Sequence, residues 1–429
     1  MMAVIAFVAL GCLMLLRVPI GLAMGIVGAV GVGQIIGWHG AYRMIGTIAI
    51  RTTTDYAFGI IPMFLLMGAI VSHSGISTEL YRAANAFVGR FRGGLALATI
   101  GACGGFSAIS GSSVATAATF SSVAFPEMVR KNYPRSLAAG VIAAGGTLGI
   151  LIPPSTVLAV YGIITQQDIG KLFIAGILPG MLAIAMYMLT ISAIGFLKPG
   201  FLPEGHRAEW REKIESLKGI WATLVLFCFV IGGLYGGLFT PTEAGATGAA
   251  GAFVIGLLRR RLSLSAIRSA LIDTTRVSAA IFTILIGALL FGYFLALTQT
   301  PQAITSFLAN LGVGSYGVLI LILLMYLCLG CVMDSMAMIV LTLPIVFPII
   351  LNLGFDPIWF GIVLVVVVEL GIITPPIGIN LFVIKSVMSD VRLNDIYRGV
   401  TPFIVTDILR LALLVAFPAI SLFLPSLMP

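Results

Sequence analysis

A helix-breaking pair of prolines interrupts a strongly apolar run twice in this chain, at positions 222 residues apart: Leu148-Gly149-Ile150-Leu151-Ile152-Pro153-Pro154 and Leu370-Gly371-Ile372-Ile373-Thr374-Pro375-Pro376. The same shift lays Phe125-Pro126 on Phe347-Pro348, Pro19 on Pro241 and Asp168 on Asp390. One register serves the whole length, which marks an internal duplication. Proline lacks an amide hydrogen and disrupts the bond to the carbonyl one turn back, so each pair unwinds its helix and frees several carbonyls. Inside hydrocarbon such carbonyls are costly unless something coordinates them.

Hydrocarbon is the solvent that composition demands. Hydrophobic residues make up 59% of the chain and charged residues 9%, with a mean hydropathy of +1.13; soluble domains carry about a quarter of their residues as charges. The fold class expected is an all-α polytopic membrane protein. The first apolar run, Met2 to Leu16, lacks the basic start of a signal peptide and leads straight into a second span, so it reads as a retained helix. The net charge of +8 needs neither nucleic acid nor anionic lipid to explain it, because basic residues collect on the cytoplasmic side during insertion. The five cysteines fall in or beside apolar segments, and Cys328-x-x-Cys331 has no second pair or nearby histidine; they read as packing residues rather than metal ligands.

Spans are expected at about 2–16, 18–37 and 57–72, followed by an amphipathic arm from Ser77 to Arg90. Two stretches too short to cross, 94–108 and 114–129, flank Ile109-Ser110-Gly111-Ser112-Ser113 and read as a re-entrant hairpin. A span at 137–164 carries the first Pro-Pro break, and another covers 172–197. The second half repeats the order: spans at 219–239, 241–258 and 277–297, an arm from Pro301 to Asn310, a hairpin with its tip at Met333-Asp334-Ser335, the second broken span, and a last span to 424. The chain thus divides into a first repeat at 1–197, with its hairpin over about 91–131 and broken helix over 137–164; a linker at 198–218, helical around Ala208 to Lys218; and a second repeat at 219–429, with its hairpin over about 315–351 and broken helix over 358–386.

Five complete spans per repeat turn the second repeat upside down relative to the first. With both termini outside, one face collects Arg17, Arg82, Arg90, Arg92, Arg130, Lys131, Arg135, the linker residues Lys198, Arg207, Arg211, Lys213 and Lys218, then Arg259, Arg260, Arg261, Arg268, Arg276, Lys385, Arg392 and Arg398. The other keeps only Arg43, Arg51 and Lys171, while Arg410 lies in the last span. That asymmetry makes the first face cytoplasmic.

The chemistry should sit where the tips meet the breaks. At the common shift Ser112-Ser113 falls on Asp334-Ser335, giving hydroxyls in one half and a carboxylate with a hydroxyl in the other. Hydroxyls, one carboxylate and freed carbonyls are hard oxygen ligands suited to an alkali cation, so each half is expected to hold one sodium ion. The residues assigned are Ser110, Ser112, Ser113, Gly149 and Pro153 for the first, and Gly330, Met333, Asp334, Ser335, Gly371 and Thr374 for the second. Between them, helix starts favour an anionic group such as a carboxylate, with Gly111, Pro154, Ser155, Thr156, Pro376, Gly378 and Asn380 as the substrate residues. Glu369 stands just before the second break where the first half has Thr147; a cation, a proton or a neighbouring arginine are the partners open to it.

These residues resemble the large membrane subunit of tripartite ATP-independent periplasmic (TRAP) transporters, the DctM-like proteins. Carrying the resemblance are Gly104-Gly105-Phe106 with Ser110 to Thr116, Gly149 to Ser155, and Gly371 to Asn380. It covers essentially the whole chain. It implies an ion-transporter-superfamily elevator: a transport domain of the two hairpins and two broken helices slides against scaffold helices, here about 1–72 and 219–297. It further implies sodium as the coupling ion with no cofactor, a bacterial inner-membrane location, a small four-helix membrane subunit (Q), a periplasmic substrate-binding protein (P), and carboxylate substrates such as C4-dicarboxylates and sialic acid. No GxxxxGK[ST] motif is present, in keeping with an ion-driven rather than ATP-driven process.

An ion channel is the competing class, since re-entrant loops also build selectivity filters, but the hairpins are expected from opposite sides and no filter sequence is evident. An intramembrane enzyme using Ser112, Asp334 or Glu369 lacks a nearby base, so no enzymatic activity is expected. Within the transporter class, a stand-alone divalent-anion:sodium symporter of related fold shares the same repeat logic.

Overall fold

The computed structural model describes residues 2–205, 208–310 and 312–428, and side chains throughout these except 308–310. His206 and Arg207 of the expected linker lie outside the described residues. The first half contains α1 (Met2–Leu15), α2 (Ile20–Ile36), α3 (Trp38–Thr54), α4 (Ile60–His73), α5 (Ile76–Val88), α6 (Gly94–Ser110), α7 (Ser113–Arg130), α8 (Arg135–Thr147), α9 (Thr156–Thr165) and α10 (Ile169–Leu197). The second contains α11 (Trp210–Tyr235), α12 (Pro241–Leu258), α13 (Leu264–Leu297), α14 (Thr300–Asn310), α15 (Gly314–Gly330), α16 (Ser335–Asn352), α17 (Pro357–Ile372), α18 (Ile379–Val387), α19 (Leu393–Ala416) and the short α20 (Ala419–Leu422). No strand occurs among the described residues. Among the described residues, six helical stretches are long and apolar enough to cross a membrane by themselves, including α10, α11, α13 and α19.

Both proline pairs lie between helices. The first half steps from α8 through a 3-10 turn at Leu148–Ile150 into an irregular stretch before α9. The second steps from α17 through Ile373 to Gly378 into α18. Each restart is capped in its own way: Ser155 Oγ accepts from Leu158 N at 3.2 Å, whereas Gly378, at φ 61°, precedes α18 without a side-chain cap.

Three segments differ from the sequence reading. A helix, α3, occupies Trp38–Thr54, a segment that the hydropathy pattern places between spans. Its apolar residues Trp38, Ala41, Ile45 and Ile48, with the buried Thr52, follow a helical spacing, and it packs on α2 and α13. Asp55 ends it and starts a 3-10 turn by accepting from Ala57 N at 2.9 Å. In the second half the matching region is unbroken, and α13 runs continuously from Leu264 instead of beginning at 277. Its first turns carry Arg268, Asp273 and Arg276 on exposed positions, so the helix outruns the apolar stretch that marks it. The helix expected in the linker joins the next span without a break, because α11 runs from Trp210 to Tyr235.

Helix contacts come in reciprocal pairs between the halves. α2 packs along α13 while α12 packs along α4; α8 packs along α19 while α17 packs against α10. Most telling for the site, α9 packs on α16, and α18 packs on α7. The second part of each broken helix therefore leans on the hairpin of the other half. Asp168 and Asp390, equivalent in sequence, serve different ends: Asp168 caps α10 through Lys171 N at 2.9 Å, and Asp390 pairs with Arg135 of the other half at 2.6 Å.

Candidate functional site

The first hairpin closes at Gly111, whose φ of 59° favours glycine, with Ser112 capping α7 through Ala115 N at 3.3 Å. Its tip docks on the first break. Thr156 Oγ1 donates to Gly111 O at 3.1 Å, and a methyl group on Gly111 would sit 2.7 Å from Pro154 O. Gly149 lies against the Ser112–Ser113 peptide, where a side chain would come within 2.8 Å of Ser113 N. Ser110 Oγ and Thr116 Oγ1 are 3.1 Å apart, and Thr116 Oγ1 donates to Ser112 O at 2.8 Å. Ser155 Oγ donates to Ile150 O at 2.5 Å, satisfying one carbonyl freed by the break. Ser110, Ser113, Thr116, Ser155 and Thr156 are all buried, as are Gly149, Pro153 and Pro154.

The second half repeats the docking with different groups. Gly378 N donates to Cys331 O at 3.1 Å, and Cys331 Sγ lies 3.6 Å from Pro375 O. Gly330 and Gly371 touch backbone to backbone, so that a side-chain carbon on Gly371 would fall 2.7 Å from Gly330 Cα. Thr374 Oγ1 donates back to Leu370 O at 2.5 Å. The Asp334 carboxylate caps α16, with Oδ1 accepting from Met336 N at 3.0 Å and Ala337 N at 3.3 Å; Oδ2 makes no such bond. Met333 and Gly378 are buried, Ser335 and Thr374 are half-buried, and Asp334, Pro375 and Pro376 are exposed. The first half-site is closed while the second is open.

One bond joins the two. Asn380, fully buried on the first turn of α18, donates Nδ2 to Ser113 Oγ at 2.6 Å, leaving its Oδ1 without a protein partner. A residue assigned to the substrate thus touches one assigned to an ion. The donor set is hydroxyls, backbone carbonyls, one amide and one carboxylate, and among the described residues no cluster of three His, Cys, Asp or Glu side chains occurs. Such a set suits an alkali cation and an anion held by neutral hydrogen bonds.

Glu369 is neither beside a tip nor open to solvent. Its Oε2 accepts from Arg410 Nη2 at 2.7 Å, and Arg410 also pairs with Asp407 at 3.0 Å, all three with no exposed side-chain surface. Of the partners open to it, the arginine is the one it takes. Sequence reasoning also missed Thr116, Cys331 and Tyr397, whose hydroxyl donates to Pro376 O. Thr116 was the most accessible of these, one helical turn beyond Ser112 on the same arm. Tyr397 and Cys331 carry no local signal.

Comparison with known proteins agrees with this architecture. Residues 7–420 match the family described as "Tripartite ATP-independent periplasmic transporter, DctM component". The C4-dicarboxylate TRAP transporter large permease protein DctM of Pseudomonas aeruginosa is 40% identical over 386 residues, 90% of each chain. The isethionate TRAP transporter permease protein DctMQ of Oleidesulfovibrio alaskensis is 34% identical over 381 residues, which cover 88% of this chain but 60% of that longer one. Among solved structures, the Alcanivorax borkumensis YdaH transporter aligns with a TM-score of 0.64 at 14% identity, over 89% of each chain, a likeness of fold. With its extent and its identity to these relatives, the chain belongs to the DctM component family of the tripartite ATP-independent periplasmic transporters.

Proposed function

We propose that this protein is a sodium-driven permease that moves a carboxylate inward, with one ion at each hairpin tip and the substrate between them. The Asn380–Ser113 bond is the observation that carries the reading, since it makes a single unit of the two halves at the point where both helix breaks converge. The first ion takes hydroxyl and carbonyl oxygens of Ser110, Ser112, Ser113 and Gly149, and the second takes the free Asp334 Oδ2 with Ser335 and carbonyls near Gly330, Gly371 and Thr374. The substrate carboxylate meets Thr156, Asn380 and the backbone around Gly111, Ser155 and Gly378.

In this account the hairpins α6–α7 and α15–α16, with the broken helices α8–α9 and α17–α18, move as one body against a scaffold that includes α2, α4, α12 and α13. The second repeat is inverted relative to the first, and both termini face the periplasm across the inner membrane. The name of the Pseudomonas relative supports a C4-dicarboxylate, while the isethionate relative keeps a sulfonate within range. Assembly with a small membrane subunit is supported by the extra length of the DctMQ relative, and delivery by a periplasmic binding protein is supported by the tripartite family description.

The test is uptake of a labelled C4-dicarboxylate into proteoliposomes holding this chain and its small subunit, with and without an inward sodium gradient and the binding protein. Uptake that requires both supports the proposal. Uptake without the binding protein would make this an autonomous symporter, contrary to it.

A further inference from the structure

A chain of buried polar groups runs between the two broken helices, away from the hairpin tips. Thr147 ends α8, six residues before Pro153, and Glu369 lies in α17, six residues before Pro375. From Thr147 Oγ1 the chain passes to Tyr187 OH on α10 at 3.1 Å, then to both carboxylate oxygens of Asp407 on α19 at 2.8 Å each. Asp407 pairs with Arg410 at 3.0 Å, and Arg410 reaches Glu369 at 2.7 Å. All five residues have no exposed surface.

Apolar side chains would hold these helices together at lower cost, because desolvating three ionic groups opposes their mutual attraction. What directional bonds add is register. The chain begins and ends at equivalent positions just upstream of the two breaks, and it crosses α10 and α19, the last long helices of the two halves. Resting on the sodium reading above, we propose that Thr147, Tyr187, Asp407, Arg410 and Glu369 form a strap that couples the two ion half-sites. Occupation of one site then raises the affinity of the other.

The mechanics follow from the bonds near each break. Ser155 Oγ holds Ile150 O, three residues after Thr147, and Thr374 Oγ1 holds Leu370 O, the residue after Glu369. A cation that draws on these carbonyls shifts the helix end that bears the strap. A close-packed interior transmits such a shift rather than absorbing it. The strap also has a second pairing within reach. Arg410 Nη2 serves both carboxylates, while Nε, Nη1 and Glu369 Oε1 have no protein partner. Moving Glu369 by a fraction of a turn lets Arg410 take its other oxygen, giving the two arrangements that coupling requires.

Tyr187→Phe removes the hydroxyl that bridges Thr147 and Asp407 and changes nothing else in the strap. Tyr326→Phe is its matched control, because Tyr326 OH bonds Thr342 Oγ1 at 2.5 Å within one hairpin. In equilibrium binding of radiolabelled sodium to the purified protein, the wild-type isotherm should be sigmoidal. Tyr187→Phe should make it hyperbolic and raise half-saturating sodium about fivefold, the value of one buried hydrogen bond, with the carboxylate KM at saturating sodium unchanged. Tyr326→Phe should keep the sigmoid. If Tyr187→Phe does not insert, Thr147→Val cuts the strap at its other end with the same expectation. A sigmoid retained by the strap variants, a hyperbolic wild type, or an equal loss in Tyr326→Phe would each overturn the strap while leaving sodium coupling intact. Wild-type uptake indifferent to sodium would overturn the sodium reading and the strap with it.

Discussion

Asn380 Nδ2 and Ser113 Oγ lie 2.6 Å apart although 267 residues separate them in sequence, and the bond ties the restart of the second broken helix to the tip of the first hairpin. Asn380 therefore has two tasks in the proposed mechanism: its amide hydrogen fixes Ser113, and its unpartnered Oδ1 stays inside the site. A residue that served the substrate alone would, on Asn380→Leu, raise the substrate requirement before altering sodium dependence. With this bond in place, the two should move together. Asn380→Leu should raise both the carboxylate KM and the half-saturating sodium concentration by about tenfold, in line with an abandoned buried hydrogen-bond partner. Initial uptake rates over a two-way titration check this, and a change in KM alone would detach Ser113 from the ion.

Asp334 caps a helix and has one carboxylate oxygen to spare, so two variants separate its duties. Asp334→Asn keeps an N-cap acceptor and should leave thermal stability near wild type, while sodium-dependent uptake is lost. Asp334→Ala loses both and should destabilise the protein by about 1 kcal/mol more. Melting in detergent alongside uptake distinguishes them, and normal uptake by Asp334→Asn would remove the carboxylate from the ion site.

Gly330 and Gly371 allow the second hairpin to lie directly on the second break, with room for no side chain between them. Gly371→Ala should cost about 1–3 kcal/mol through overpacking and depress uptake. Gly232, which has open space around its Cα, is the control position, and Gly232→Ala should be silent in both readouts. Equal melting temperatures for the two variants would contradict the close docking.

Glu369 shares Arg410 with Asp407, and all three side chains are fully buried. Glu369→Ala removes one carboxylate and leaves a cavity beside a buried guanidinium, a change expected to cost about 3–5 kcal/mol. Glu369→Gln preserves the shape and an acceptor oxygen for Arg410 and should retain most of the stability. Size-exclusion profiles of the two variants check the ordering; similar behaviour would mean that Arg410 does not depend on Glu369.

Much of this architecture was legible because proline and glycine punctuate it. Pro153-Pro154, Pro375-Pro376 and the Ile109–Ser113 segment announce interruptions that no long membrane helix accommodates without a reason. Helix ends were less legible. Hydropathy reports where a chain can lie in hydrocarbon, and α11 and α13 continue past that limit with charged residues on their exposed faces. Long-range side-chain pairings were legible only as open choices, such as an arginine among the partners of Glu369. Asp407 and Arg410 stand one turn apart in the last long helix, but only the packing of α10, α17 and α19 brings Tyr187 and Glu369 to them. The capping of α16 by Asp334 was local enough to predict, yet its carboxylate drew attention as a ligand first.

The central claim is that each hairpin tip holds one sodium ion, and equilibrium binding of radiolabelled sodium to the purified protein tests it most directly. Wild type should bind two ions saturably, Ser112→Ala and Asp334→Asn one each, and the double variant none. Unchanged stoichiometry in both single variants would contradict the account.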